Sequence, residues 1–192
     1  MNTIINILSK NPDFSDCKTR LKGLLTLDER MFLSKKMLEM TCSEISKIDA
    51  DRRLSLSPNV DGDFINNLSK KYMIELDYQD DGFLSEKILA TLKSTYHYKK
   101  LLIGSDIPSL THTELNESIK LLDSYDIVFG PSKDGGFYLV GVKGKSYSIF
   151  NDLKLNTITL NHLVITCKKY NLSYKLIRKL KDIDDSNDLL FI

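Results

Sequence analysis

The sequence has no tryptophan, and only three cysteines, three histidines, four prolines and nine glycines in 192 residues. Cys17, Cys42 and Cys167 are odd in number and widely spaced. That spacing excludes reading a disulfide framework or a zinc knuckle from them, so a reducing, cytoplasmic compartment is the expectation. Charge of one sign is also missing: 27 Lys+Arg stand against 26 Asp+Glu, a formal net charge of +1. A general polyanion binder needs a basic excess, so nucleic acid is not expected as a partner, whereas a local phosphate site is still allowed. No apolar run approaches the roughly 20 residues of a membrane span. The opening Met1–Leu8 has an apolar stretch without a basic leader and reads as a first strand, so no membrane partner is expected. Repeats and low-complexity segments are absent as well.

What is present is an ordinary globular composition, 42% hydrophobic and 28% charged, which can bury a sizeable core in one domain spanning 1–192. Short β-rich runs alternate with longer helical stretches, the pattern of an α/β fold with a mostly parallel sheet. Strands are expected at Thr3–Ser9, Arg52–Ser57, Met73–Asp77, Lys100–Gly104, Asp126–Gly130, Phe137–Lys143 and Tyr174–Leu180. Lys100–Gly104 shows no polar face, which suits a central strand covered on both sides. Helices are expected at Asp28–Lys47, with Met31, Phe32, Leu38 and Ile45 at helical spacing, and at Asp61–Lys71, Leu84–Thr95 and Ile158–Tyr170. A further helix has its start written out, because Thr111 and Glu114 form a capping box ahead of Leu115, Ile119 and Leu122.

In an open α/β sheet, ligands sit beyond the carboxyl ends of the strands, so the loops there carry the chemistry. Lys10, Lys18, Thr19 and Arg20 follow the first strand. Such a loop can wrap phosphates, Arg with a planar fork and Lys with a point charge. The alternative is a solvated basic loop, and the glycine-lysine pattern of a Walker loop is absent. Gly104-Ser105-Asp106-Ile107-Pro108 puts a carboxylate at the end of the apolar strand, where it either meets a cation or caps the following turn. Asp182 and Asp184 face one side if extended, as two ligands of a hard cation would; solvent charges or helix caps are the alternative. Gly135 and Gly136 mark a tight turn or a backbone held against a ligand, beside Phe137 and Tyr138. A nucleotide-dependent transferase must neutralise a leaving diphosphate, which Mg²⁺ (or Mn²⁺) on carboxylates and Lys/Arg on phosphates accomplishes. Oxygen ligands suffice for such a metal, and His97, His112 and His162 are assigned to surface or helix positions without a catalytic role.

The stretches Ser9–Pro12 with Lys18–Leu21, Gln79–Lys87, Ile103–Leu110, Gly130–Gly141 and Asp182–Asp184 with Asp188-Leu189 resemble, in order, the motifs of a bacterial family of small glycosyltransferase-A-like proteins. That family is associated with radical-SAM enzymes and arsenosugar biosynthesis. More distantly the chain is similar to phospholactate and molybdenum-cofactor guanylyltransferases, of the nucleotide-diphospho-sugar transferase fold. The resemblance implies a Rossmann-like three-layer sandwich with a mostly parallel mixed central sheet. It implies a divalent metal on Asp106, Asp182 and Asp184, and catalytic roles for Asp106, Lys18 and Arg20. Nucleotide or sugar contacts are implied for Ser9, Lys10, Lys18, Arg20, Gln79, Ser105, Gly135 and Gly136. The chain departs from the family at Ser15-Asp16-Cys17, where a glycine is usual, at Gly82-Phe83-Leu84-Ser85 in place of Gly-Asp-Leu-Gly, and at Leu155-Asn156-Thr157 in place of Trp-Ser-Thr.

Three functions fit these residues. The first is Mg²⁺-dependent glycosyl transfer from a nucleotide sugar to a small acceptor. The second is nucleotidyl transfer from an NTP to a small phosphate or carboxylate, favoured physically by the basic loop because a triphosphate needs more cationic neutralisation. The third is nucleotide binding without turnover, motivated by the departures at Phe83 and Leu155. A homodimer is compatible with all three.

Overall fold

The computed structural model describes the chain apart from Met1, Asp80, Lys154, Asn187 and Ile192, and the backbone alone of Leu190 and Phe191. Asp80, within the Gln79–Lys87 motif, therefore lies outside the described residues. In chain order the elements are β1 (Thr3–Lys10), α1 (Leu27–Ser46), β2 (Asp51–Ser57), α2 (Asp63–Tyr72), β3 (Glu75–Tyr78) and α3 (Leu84–Lys93). They continue with β4 (Lys99–Gly104), α4 (His112–Leu121), β5 (Ile127–Pro131), β6 (Phe137–Lys143), α5 (Leu160–Lys169) and β7 (Tyr174–Leu176). The strands form one sheet in the order β3-β2-β1-β4-β6-β5-β7. All neighbours are parallel except the two pairs that β6 makes, antiparallel to β4 and to β5. This is the mostly parallel mixed sheet expected from the alternation of elements.

The two-residue period of β4 shows why the chain forms three layers. Leu101 and Ile103 join one core cluster with Leu38 and Cys42 of α1, Ile65 of α2 and Leu115 of α4. Leu102, between them, joins a second cluster with Ile88 and Leu92 of α3 and Leu163 and Cys167 of α5. Each of these leucines and isoleucines is at most 4% exposed, and full burial of such a side chain contributes about 1.5–3 kcal/mol. The helix starts are set locally. Thr26 accepts the Glu29 N–H at 3.3 Å while Glu29 takes the Thr26 N–H at 2.8 Å, and Glu114 takes the Thr111 N–H at 3.0 Å.

Four expectations are corrected. The strand expected to end at Leu180 stops at Leu176: its ladder with β5 ends at the Phe129–Leu176 pair, and an isolated parallel bridge between Ser132 and Leu180 follows. The chain nevertheless stays beside it, with the Ile177 and Leu180 N–H groups donating to Phe129 and Pro131. The buried stripe of α1 runs through Arg30, Ser34, Met37, Leu38, Thr41, Cys42 and Ile45, whereas Phe32 is 64% exposed. The stripe follows the helical period back from Ile45, and polar side chains hold its first two positions. His97 is neither on the surface nor in a helix: it is buried before β4, its Nε2 2.6 Å from an Asp51 carboxylate oxygen. Lys100 is buried too, within a run that had looked apolar throughout.

The Lys100 ammonium donates to the carbonyls of Leu92 at 2.6 Å and Thr95 at 2.8 Å and lies over the Tyr147 ring. It thus satisfies carbonyls at and just beyond the end of α3, where a cation also meets the negative end of the helix dipole. Burial pushes its pKa below the usual lysine value. Lys100→Met removes the donor and leaves both carbonyls unpaired, so it is expected to lower stability by about 1–3 kcal/mol in equilibrium urea unfolding. An unchanged midpoint would show that the carbonyls had found another donor.

Candidate functional site

β1, β2 and β4 run parallel, so their carboxyl ends open onto one edge of the sheet, with Leu8 paired to Gly104 and Lys10 to Ser57. The loop that leaves β1 is held at both ends. Asn11, fully buried, donates its amide to the carbonyls of Asn59 at 3.2 Å and Asp61 at 2.8 Å. Arg30 of α1, 5% exposed, donates to the Asp16 carboxylate and, at 2.7 Å, to the Cys17 carbonyl. The next residue, Lys18, takes a left-handed backbone conformation (φ 50°), uncommon for a side chain with a Cβ. That turn sends its side chain inward.

The Lys18 ammonium, on a side chain only 5% exposed, lies 2.8 Å from Asp106 and 3.1 Å from Asp184 and donates to the Ile183 carbonyl at 2.6 Å. Arg20, 72% exposed, donates to the second Asp184 oxygen at 3.1 Å. The two serines at the strand ends, Ser9 and Ser105, share a hydrogen bond of 2.9 Å. These groups enclose a cavity of about 300 Å³ lined by Ser9, Lys10, Lys18, Arg20, Ser105, Asp106 and Asp184. These residues, all singled out in the sequence, therefore meet in one place, and Thr19 joins them. Ser34 of α1 also lines the cavity, and neither it nor Arg30 had been singled out. Their signal was the helical period of α1, which puts both on the inner face.

Gln79 stands elsewhere: its amide donates to the carbonyls of Ser9 and Ser55, both at 2.7 Å. It is a strut beneath the cavity, locking the β1 end to β2. Asp182 and Gly136 line a neighbouring, mainly apolar cavity of about 280 Å³ that shares Leu8 and Gly104 with the first. Gly135 (φ 91°) turns the chain ahead of it, and its carbonyl accepts the Leu160 N–H at the start of α5. Asp134 accepts the Ser132 hydroxyl and the Gly136 N–H, which bring its carboxyl below the ordinary range despite burial. At two of the departures noted above, the Ser85 hydroxyl accepts the Leu155 N–H at 3.1 Å.

The three aspartates proposed for a metal meet in pairs. Asp106 and Asp184 line the first cavity, and Asp182 and Asp184 share a small pocket of about 240 Å³ with Asp134, Asp185 and Asp188 and with the cations Arg20, Lys133 and Lys181. Among the described residues, no three His, Cys, Asp or Glu side chains are grouped as ligands of one ion. The donor chemistry nevertheless suits a hard cation. Burial, together with the charges of Asp134, Asp184 and Asp188, pushes the Asp182 carboxyl above its ordinary pKa, a repulsion that a divalent ion would relieve. Asp106 and Asp184 keep 46% and 39% of their side chains exposed, so neither is used up by Lys18.

The sheet closely matches that of a protein of Desulfovibrio desulfuricans G20 described as a candidate nucleotide-diphospho-sugar transferase. The TM-score is 0.87, with 21% identity over 98% of this chain and 84% of that one, a likeness of fold. In sequence, the chain is 25% identical to a 2-phospho-L-lactate guanylyltransferase of Methanocaldococcus vulcanius over 89% of its length. It is 29% identical to one of Methanocaldococcus infernus over 73%. It spans 74% and 60% of those two proteins' lengths. No described helix is long and apolar enough to cross a membrane. Residues 41–157, more than half of the chain and including the Ser105-Asp106 and Gly130–Gly141 motifs, match the family described as uncharacterized protein conserved in bacteria (DUF2064), and the chain belongs to that family.

Proposed function

We propose that the protein is a nucleotidyltransferase that joins the NMP part of an NTP to a small acceptor and releases pyrophosphate. The observation that carries this reading is the cavity at the β1 and β4 ends, where Lys10, Lys18 and Arg20 converge beside Asp106 and Asp184. Three cations around one small cavity suit a triphosphate better than the diphosphate of a sugar donor. The guanylyltransferase names of the relatives support the same choice over glycosyl transfer and make GTP the first NTP to test.

In this reading Lys18 is already desolvated and held beside the cavity, and a phosphate oxygen would replace one of the three acceptors, Asp106, Asp184 and the Ile183 carbonyl, that occupy its donors. Arg20, exposed and planar-headed, would close on the outer phosphates, and Lys10 would add a third positive charge. Ser9 and Ser105 offer hydroxyls at the cavity floor. Gly135 and Gly136 would shape the acceptor side, and Gln79 would position the β1 end from below. Mg²⁺ or Mn²⁺ would be held by Asp106, Asp182 and Asp184 and would neutralise charge on the leaving pyrophosphate.

The four NTPs and several nucleotide sugars, each with and without Mg²⁺, should separate the readings in a thermal-shift series. At 100 times its dissociation constant a ligand stabilises by about 2.7 kcal/mol. Mg²⁺-dependent stabilisation by an NTP, abolished by chelator and followed by pyrophosphate release, is the expected result. Stabilisation by a nucleotide sugar but by no NTP would favour glycosyl transfer.

Two substitutions divide the roles. Lys18→Ala is expected to lower kcat/KM about 100-fold or more, as when a preorganised donor to developing charge is lost. Arg20→Ala, at an exposed position, should leave stability within about 0.5 kcal/mol and act mainly by raising the KM for the NTP. An Arg20→Ala enzyme with an unchanged KM would remove Arg20 from the phosphate site.

A further inference from the structure

Lys18 reaches the cavity because its backbone is left-handed, with φ 50° and ψ 46°. No glycine stands between Asp13 and Lys22, so the turn falls on a residue whose Cβ crowds the carbonyl in this conformation. Such a backbone persists where its surroundings fix it. Fixing the two peptide planes that flank a Cα fixes φ and ψ, and the direction of Cβ follows. The plane after Lys18 is held locally: its carbonyl accepts the Leu21 N–H at 2.9 Å, and Leu21 is fully buried. The plane before it is held from α1. One guanidinium nitrogen of Arg30 donates to the Cys17 carbonyl at 2.7 Å and also to the Asp16 carboxylate. Lys22 pairs with the second Asp16 oxygen at 2.6 Å, and together Lys22 and Arg30 hold that carboxyl below its ordinary pKa. Arg30 itself is absent from the cavity wall, and its Nε–H is buried without a hydrogen-bond partner. A buried donor left unpaired is a cost to the fold, so stability alone does not explain the placement of this arginine.

Resting on the nucleotidyl transfer proposed above, we infer that Arg30 is a positioning residue for the phosphate site, holding the Cys17–Lys18 peptide in the plane that turns the Lys18 ammonium into the cavity. It acts through Lys18 and touches no substrate. Without the bond to the Cys17 carbonyl the peptide can rotate, and Lys18 relaxes to the right-handed or extended backbone that a residue with a Cβ favours. Its side chain then leaves Asp106 and Asp184 for solvent, and the NTP loses the one buried ammonium at the β1 end.

The test uses the whole chain with Arg30→Met, which removes the donors, and Arg30→Lys, which keeps the charge but ends one bond short of the guanidinium nitrogen. Lysine acetylation by sulfosuccinimidyl acetate, read by peptide mass spectrometry, reports the exposure of Lys18 without any ligand. Lys100, buried under α3 on the opposite face of the sheet from α1, reports the fold as a whole. In Arg30→Met, Lys18 is expected to react about tenfold faster or more while Lys100 stays protected. The second readout is affinity for whichever NTP gives the largest thermal shift with Mg²⁺. Arg30→Met should weaken it about tenfold in the parent chain but less than about twofold beside Lys18→Ala, because residues acting as one unit do not add. Arg30→Lys should fall between the parent and Arg30→Met in both readouts, and it decides the matter if Arg30→Met does not fold. Equal losses of affinity in the two backgrounds, or unchanged protection of Lys18, would overturn the inference. Exposure of Lys18 and Lys100 together, or failure of both variants to fold, would overturn it as well, by showing that Arg30 serves the fold at large. Absence of NTP binding by the parent chain removes the nucleotidyl reading instead, and the acetylation still decides whether Arg30 positions Lys18.

Discussion

The Lys18 ammonium joins three parts of the chain that are remote in sequence. It belongs to the loop after β1, Asp106 to the turn after β4, and Ile183 and Asp184 to the segment after β7, about which the Ile183 N–H donates to the Asp106 carbonyl at 3.0 Å. An ammonium nine-tenths buried is costly unless it is paired and hydrogen-bonded, and here two carboxylates and a carbonyl do both. The carboxylates remain about half exposed, so their own desolvation is small and they stay available to other partners. Arg20 with Asp184 and Ser9 with Ser105 tie these segments in pairs, whereas the Lys18 ammonium touches all three at once. The cavity exists because they are held.

Around that pin, the sheet sorts the chemistry. Parallel β1 and β4 deliver a serine each to one edge, while β6, inserted antiparallel between β4 and β5, brings the Ser132–Gly136 turn to the same edge from the opposite chain direction. At Gly130 an added Cβ would lie 2.5 Å from the Tyr138 ring, so the absence of a side chain there lets the ring sit under the turn. The Tyr138 hydroxyl donates to the Arg178 carbonyl at 2.9 Å, which links the turn to the segment leading to Asp182. The result is a cationic space on one side of Gly104 and an apolar space with two carboxylates on the other.

Much of this was legible because it depends on local pattern. The alternation of short and long apolar periods marked the strands and helices to within a few residues, and Thr111 with Glu114 announced the start of α4. The loop residues Lys10, Lys18, Arg20, Ser105 and Asp106 stood out as charges and hydroxyls at strand ends, where a parallel sheet gathers its ligands. Asp182 and Asp184 flank Ile183, 1% exposed, and this alternation of polar and buried residues is what the i, i+2 spacing had suggested. Other features were not legible for the same reason: their partners are distant. Lys100 passes as part of an apolar run until Leu92 and Thr95 are seen beside it, and the place of the Gln79 amide between two strands is set by the fold alone.

By itself, the sequence determined the class of fold, the order of its elements and the residue types available at the sheet's carboxyl edge, because hydrophobic period, capping and turn chemistry act over a few residues. Only the tertiary structure decided that Lys18 turns inward through a left-handed backbone to bridge Asp106 and Asp184 rather than facing solvent. It alone divided the edge into a cationic and an apolar cavity. Both outcomes depend on charge and volume contributed from opposite ends of the chain, and desolvation weights such contacts by burial, which exists only once the layers have packed.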